Sequence, residues 1–324
     1  MHSSTFRVAE DSSAAAASRL VHQRDAPGDF SLWWDPALYP FASRFVDLPA
    51  GPLHYVDEGS GPVLLFVPPA PLWSFIYRRC ITAMRDEFRC VAFDFPGFGP
   101  SPAPAGMRVD LDAMSATVQQ FVAALDLHDV ILIGHDSGGL IGLHAAGAQA
   151  GRFAGLVLVD TIGCALGAIS PIRLMLRLVS SPPVHWAQGR WNLLARAITR
   201  LGVRRRKPTA AERAAYLDAY PDRATRCRPL AVFREMARRG EFFRAVELGA
   251  ERLRDRPVLS IFGQLDPVRI LGYQRQLARV FPRHRGCVVR GEAHFVPEGA
   301  PEKMAGAIRS WWRTESRRAS WSTR

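Results

Sequence analysis

The sequence predicts an α/β fold: a mostly parallel central sheet flanked by helices, opened by an antiparallel hairpin and interrupted by an inserted helical cap. Three observations carry this. Short, nearly unbroken apolar runs recur, each closed by turn residues; segments of helical length separate them; and one long interval has helical patterns without a strand pattern. Apolar runs of that kind suit strands buried on both faces of a parallel sheet.

The chain has 324 residues, 48% apolar and 22% charged, which is ordinary for a globular protein and long enough for a large core. Residues 1–29 are rich in Ser, Ala and charge with no apolar run, so a disordered N-terminal tail is expected in place of a signal peptide. No stretch is apolar for long enough to span a bilayer, so a cytoplasmic location and no membrane partner are expected.

The elements follow in order. Arg44-Phe45-Val46-Asp47-Leu48 and Leu53-His54-Tyr55-Val56-Asp57 flank Ala50-Gly51 and read as a hairpin. Val63–Val67, Cys90–Phe93, Val130–Ile133, Leu156–Val159, Val258–Phe262 and Cys287–Val289 are the buried strands. Leu111, Met114, Val118, Phe121, Val122 and Leu125 repeat at helical spacing, as do Ile308, Trp311 and Trp312. From Thr161 to Ala250 there are only helical patterns, broken by Pro182-Pro183, Gly202 and Pro221. The expected organisation is a core of residues 30–162 and 251–314, a helical cap over 163–250, and a C-terminal tail over 315–324.

Composition excludes several functions. The five cysteines (Cys80, Cys90, Cys164, Cys227, Cys287) are odd in number and scattered, so reduced thiols are expected. Net charge is +12, almost all of it from Arg. The basic residues are distributed along the chain, and the one dense run, Arg204-Arg205-Arg206-Lys207, lacks interleaved aromatics. It reads as a solvated loop, and no nucleic-acid partner is expected. No cluster has metal-ligand spacing and no Gly-rich loop has phosphate-binding form, so no metal and no cofactor are expected.

Chemistry in an open α/β sheet sits at the carboxyl ends of the strands. After Ile133 comes Gly134-His135-Asp136-Ser137-Gly138-Gly139, then the helical Leu140-Ile141-Gly142-Leu143. A strand, a sharp turn and a helix form a nucleophile elbow, whose centre needs small residues two positions away on each side. Centring it on Asp136 puts Gly134 and Gly138 there; centring it on Ser137 would put His135 there. Asp136 is the expected nucleophile. Asp266 follows a buried strand and His294 follows the last one, so nucleophile, acid and histidine come in the order this fold uses. Asp160, at the end of the preceding strand, is the alternative acid.

From Tyr39 to Trp312 the chain resembles the haloalkane dehalogenase and epoxide hydrolase branch of the α/β-hydrolase superfamily. The resemblance is carried by Tyr39-Pro40-Phe41, His54-Tyr55-Val56-Asp57-Glu58-Gly59, Trp73-Ser74-Phe75, Gly97-Phe98-Gly99 and Leu156-Val157-Leu158-Val159-Asp160-Thr161. Within the cap, Ala219-Tyr220-Pro221-Asp222 is closer to the dehalogenases. The resemblance implies an α/β-hydrolase fold and a two-step reaction on a small apolar organic substrate and water. Asp136 would form an alkyl ester, and His294, held by Asp266, would activate water to hydrolyse it, with the amides of Ala70 and Ser137 as the oxyanion hole. Two departures stand out. The family's His-Gly-Asn-Pro segment is here Pro68-Pro69-Ala70-Pro71, and the Trp after the nucleophile is Ser137, so both halide-binding side chains are absent. Trp186 and Trp191 are candidate replacements in the cap pocket. Tyr216 and Tyr220 are the candidate acids if the reaction is epoxide opening instead. Ester or lactone cleavage and a non-catalytic small-molecule-binding protein on the same fold are the remaining alternatives.

Overall fold

In the computed structural model, which describes residues 34–163 and 170–322, the apolar runs form one eight-stranded sheet. The strands are β1 (Arg44–Leu48), β2 (Gly51–Glu58), β3 (Val63–Val67), β4 (Arg89–Phe93), β5 (Val130–His135), β6 (Phe153–Val159), β7 (Val258–Gly263) and β8 (His284–Val289). Their spatial order is β1-β2-β4-β3-β5-β6-β7-β8. The pairs β1–β2 and β2–β4 are antiparallel, and the others are parallel. β8 begins three residues before the run that betrays it, at His284. As an edge strand it keeps Arg285 and Gly286 exposed, so its pattern is not continuously apolar.

Successive side chains of a strand point to opposite faces, which divides each apolar run between two cores. Leu64, Phe66, Ile131, Ile133, Val157 and Val159 face one core, and Leu65, Val67, Leu132, Leu156 and Leu158 face the other. The helices α1 (Arg78–Met84), α2 (Leu111–Ala124) and α3 (Ser137–Ala148) connect the first strands.

Between β6 and β7 the chain leaves the sheet through α4 (Pro171–Val179), α5 (Pro182–Trp191), α6 (Leu193–Ala197), a π turn at Ile198–Gly202, α7 (Ala210–Asp218) and α8 (Arg223–Arg238). Local chemistry sets these boundaries. Proline opens α4 and α5, where its missing N–H costs nothing, and Thr209 and Asp222 close capping boxes on α7 and α8. The next helix, α9 (Gly240–Arg252), returns to the sheet and packs on α3. The two backbones meet so closely that a Cβ on Gly147 would lie 2.3 Å from Gly249 Cα. The helices standing off the sheet thus end near Arg239, short of the expected boundary at residue 250.

The chain ends through α10 (Pro267–Ile270), α11 (Tyr273–Val280), α12 (Val296–Gly299) and α13 (Pro301–Ser322). α13 runs through most of the segment expected as a tail over 315–324. Glu315 explains the difference: it is 8% exposed and pairs with Arg283, just before β8, at 2.5 Å, and with Arg318 at 3.0 Å. The N-terminal tail expected over 1–29 lies outside the described residues, as does Cys164. The other four cysteines are free thiols. No helix among the described residues is long and apolar enough to cross a membrane.

The insertion is bolted to the core by buried charge. Arg78 of α1, 3% exposed, donates to Glu298 of α12 and to Glu212 of α7 at 2.6 Å each, and Arg206 joins both acids. Glu292, fully buried, accepts from the main-chain N–H groups of Arg204 and Arg205 at 2.7 and 3.0 Å. The basic run expected as a solvated loop is therefore tied down at its backbone and at the side chains of Arg205, Arg206 and Lys207, and its ties to Glu292 and Glu298 give those desolvated acids the cationic and N–H partners they need.

The α3–α9 crossing yields a stability prediction. Gly147→Leu forces the two backbones apart and costs about 3 kcal/mol, read as a lowered urea midpoint, whereas Gly151→Leu, with nothing within 4 Å of its Cβ, leaves the midpoint near that of the parent chain. Equal midpoints for the two variants would mean that the crossing tolerates side chains.

Candidate active site

Asp136 sits on the turn from β5 into α3 with φ 48° and ψ −125°, a conformation that L-residues rarely adopt. Contacts on every side hold it there. Its N–H donates to Val159 O at 3.1 Å, and its carbonyl accepts from Gly139 N at 3.0 Å and Thr161 Oγ1 at 2.5 Å. The flanking glycines are obligatory. A Cβ on Gly134 would come within 2.5 Å of Gly139 Cα, and one on Gly138 within 2.4 Å of Val67 O. The turn therefore projects one carboxylate, 22% exposed, above the carboxyl ends of the strands.

His294 and Asp266 converge on it. His294 Nε2 lies 3.7 Å from Asp136 Oδ1, and Nδ1 donates to Asp266 Oδ1 at 2.9 Å. The same Asp266 oxygen accepts from Val268 N at 3.0 Å. The Nδ1 bond leaves Nε2 to face Asp136. Burial works against a charged His294, but its bonds to Asp136 and Asp266 outweigh burial and hold its pKa well above the usual imidazole value. The Asp266 pKa is lowered: burial raises it, and the bond to His294 and that ring's charge overcome the rise.

Asp160 stands behind this pair. It is fully buried, its Oδ1 accepts from Gly263 N at 2.8 Å, and its Oδ2 accepts from Val296 N at 3.4 Å. Burial, and then the neighbouring Asp266 charge, push its pKa well above the carboxylate range. The alternative acid thus sits next to Asp266 without the bond to His294. Asp160, Asp266 and His294 also form the one group among the described residues near enough to share a metal ion, within 4.8 Å of one another. Most of their atoms already bond to each other or to main-chain N–H groups, and Asp266 Oδ2 is the one carboxylate oxygen of the group left without a partner.

His135, inside the turn, escaped functional notice in the sequence. It is fully buried and its Nε2 donates to the His294 carbonyl at 2.8 Å. Burial first, and the His294 charge second, lower its pKa to about 4, so it stays neutral while it anchors the His294 main chain.

The expected oxyanion donors are arranged differently from expectation. Ala70 N–H donates to Ser137 Oγ at 2.9 Å, with Ser137 fully buried. The Ala70 amide is spent on its neighbour, because a short hydroxyl side chain at position 137 turns back onto the Pro68–Pro71 loop. The hydroxyl accepts there and keeps its own hydrogen to donate.

A cavity of about 230 Å³ opens above Asp136. Core residues Pro71, Ile162, Val268 and Phe295 line it, and Met175, Leu176, Leu194, Ile198, Phe233 and Met236 of the insertion roof it. Among the described residues, Asp136 and His294 are the only titratable groups in its wall. None of the four expected aromatics lines it. Trp186 and Trp191 stack edge to face at 5.1 Å on the outer surface, 56% and 46% exposed. Tyr216 and Tyr220 are buried, and their hydroxyls are bonded to Glu298 Oε2 and to Pro71 O. A buried phenol needs an acceptor, and each has one: Glu298 for Tyr216, and for Tyr220 the carbonyl of Pro71, a residue of the cavity wall.

Residues 64–307 match the model of the alpha/beta hydrolase family. Haloalkane dehalogenase 2 of Mycobacterium tuberculosis is 36% identical over 279 residues, which is 85% of this chain and 96% of that protein. A cis-3-alkyl-4-alkyloxetan-2-one decarboxylase of Xanthomonas campestris is 25% identical over 294 residues, covering 84% of this chain and 96% of that enzyme. Among solved structures, the haloalkane dehalogenase DatA from Agrobacterium tumefaciens C58 superposes with a TM-score of 0.75 at 20% identity, covering 86% of this chain and 98% of that one.

Two measurements follow from the charge arrangement. Asp136→Asn removes the anion that favours the imidazolium, so the His294 pKa falls, visible as a shifted midpoint of its ring-proton titration by NMR; an unmoved midpoint would show that the 3.7 Å pair is uncoupled. Asp160→Asn keeps the shape and a hydrogen-bond donor of the neutral acid and leaves that midpoint and the stability nearly unchanged. Asp160→Ala strands the Gly263 and Val296 N–H groups and costs about 2 kcal/mol, so an Asn variant as unstable as the Ala variant would mean that Asp160 is ionised.

Proposed function

Because this chain belongs to the alpha/beta hydrolase family, as a haloalkane dehalogenase-like hydrolase, we propose that Asp136 is its nucleophile and forms a covalent ester with an sp³ carbon of a small apolar substrate. The observation that carries this is the Asp136 carboxylate itself, held at positive φ under an apolar cavity with His294 Nε2 at 3.7 Å. A carboxylate needs no deprotonation before it attacks, so the histidine is reserved for the second step. In the free enzyme the Asp136 charge holds His294 protonated. Alkylation removes that charge, the His294 pKa falls, and the ring becomes a base when the ester is present to be hydrolysed. It then takes a proton from water, whose oxygen attacks the Asp136 carbonyl carbon, and the ester opens to an alcohol and the regenerated carboxylate. Asp266 orients the ring and balances its charge. The helices α4 to α8 act as a cap that keeps bulk water from the ester.

The donors for the developing charge are the Ser137 hydroxyl, itself aligned by Ala70 N–H, and the Ser137 amide at the start of α3. Ala70 and Ser137 stand where the resemblance implies halide-binding side chains, and among the described residues no indole or amide side chain lines the cavity. Losing a well-aimed donor costs roughly 3 kcal/mol of barrier, so chloride is a poor leaving group for this site. Epoxide opening also lacks support, since both cap tyrosines are committed elsewhere.

The donor-poor cavity favours a second reading: a strained alkyl-substituted oxetan-2-one, the compound class named for the Xanthomonas relative. Asp136 attacks the ring carbon bearing oxygen, and the C–O bond breaks to a carboxylate, an anion stable enough to leave without an acid. Loss of CO₂ then forms a C=C bond and expels Asp136, so this route consumes no water and no base.

His294 separates the two readings. With a haloalkane panel, His294→Gln accumulates an Asp136 ester, seen as a mass increase equal to the alkyl group, and halide release stops after one equivalent. With an alkyl oxetan-2-one, the same variant continues to release CO₂. Turnover of either substrate by Asp136→Ala at the parent rate would sink both.

A further inference from the structure

The outer face of the insertion carries groups that the proposed chemistry does not use. Between Asp160 and Glu212 the chain has nine Arg and Lys residues and no acidic one. On the same helices large apolar side chains stand in water. Leu174 and Leu178, one turn apart on α4, are 59% and 61% exposed, and Leu201 in the π turn is 67% exposed. Trp186 and Trp191 of α5 form their edge-to-face pair on this surface. Arg177, Arg190, Arg196 and Arg200 are exposed on the same elements, and among the described residues none of the four has an acidic partner.

These elements stand together at one place. Met175, Leu176 and Val179 of α4 and Leu194 and Ile198 of α6 and its π turn wall the cavity over Asp136, and α5 packs against both α4 and α6. Met175 lines the cavity while 49% exposed.

We propose that this face docks on an anionic lipid bilayer and seats the cavity mouth at the membrane, where an apolar substrate is concentrated. Helices that set leucine and tryptophan beside arginine, with no acid among them, lie in the bilayer interface, the apolar side chains among the acyl chains and the guanidinium groups on phosphates. Paired indoles suit the headgroup layer, which is part apolar and part wet. A nucleic acid would answer the charge but leave Leu174, Leu178 and Leu201 in water. A second copy of the chain would set like charges against each other. Docking itself is independent of the catalytic reading; only the route of the substrate rests on it.

Sedimentation of the full chain with lipid vesicles tests the proposal. The chain binds phosphatidylglycerol vesicles at low salt, binds phosphatidylcholine vesicles weakly, and shows tryptophan emission shifted to the blue and quenched by brominated lipid. Arg177→Gln, Arg196→Gln and Arg200→Gln together lower the partition coefficient about 100-fold. Leu178→Ser with Leu201→Ser weakens binding at unchanged charge, and both variants keep the parent circular dichroism and melting temperature because the sites are exposed. Asp136→Ala binds vesicles as the parent does, which separates a failure of docking from a failure of the chemistry. Absence of binding to phosphatidylglycerol, binding that ignores lipid charge, or variants that bind unchanged would overturn the proposal. So would preferential binding to a DNA duplex, or a dimer that shields the tryptophan pair.

Discussion

At φ 48° the main chain of Asp136 occupies a region that costs roughly 1–3 kcal/mol, and the turn persists because its surroundings leave it no alternative. The N–H of Asp136 is fixed by β6, its carbonyl by Thr161 and by the first turn of α3, and the glycines on either side are pressed against backbone. Several of these contacts come from elements far away in the chain. Val159 and Thr161 are in place only because β6 pairs with β5 in one register, and Val67 because β3 pairs on the other side. The sheet is therefore the device that stores the strain, and the insertion, the histidine loop and the buried acids are arranged around a carboxylate whose position it has already decided.

The electrostatics continue outward from that carboxylate: the His294 pKa is raised by its acid partners, that of Asp266 is lowered by the histidine, and that of Asp160 is raised by burial and by Asp266. Ionising all three carboxylates around one imidazole is costly, and burial disfavours the charged form most at Asp160, the acid that has no bond to the histidine. His135, neutral by burial, fixes the histidine's main chain without adding a charge. The pairing of Glu292 and Glu298 with the insertion follows the same logic on a larger scale. Acids beside His294 and in α12 accept from Arg204, Arg205, Arg206 and Arg78, so the loop bearing the histidine and the roof of the cavity are held by shared buried charges.

Which of these features could be read from the residues depended on how far apart the interacting groups lie in the chain. Strands buried on both faces announce themselves as apolar runs, and the Asp136 turn announces itself because its steric demand falls on positions two residues away. β8 was half hidden, since an edge strand need not be apolar on its open face. The ends of the insertion and of α13 were misjudged because both are decided by partners far away, Gly147 against Gly249 and Arg283 against Glu315. The cap aromatics show the limit most clearly. Trp186, Trp191, Tyr216 and Tyr220 all sit on helices with a buried and an open side, and residue type alone cannot say which side faces Asp136. The tyrosines were drawn inward by acceptors on Pro71 and Glu298, and the tryptophans were left outside.

Ser137 joins the interior of the site to its exterior. At position 137 a short hydroxyl folds back on Ala70 N–H, and among the described residues the cavity wall is apolar apart from Asp136 and His294. Such a wall gains nothing from a polar substrate and would desolvate one at a cost, so selectivity falls to apolar shape and to the reactivity of one carbon. A substrate of that kind is scarce in water and abundant in lipid. The exposed leucines, tryptophans and arginines on the helices around the cavity are the surface that such a substrate would require. The poverty of donors inside and the wealth of apolar and cationic side chains outside are two consequences of one demand, that the molecule reaching Asp136 arrive from an apolar phase.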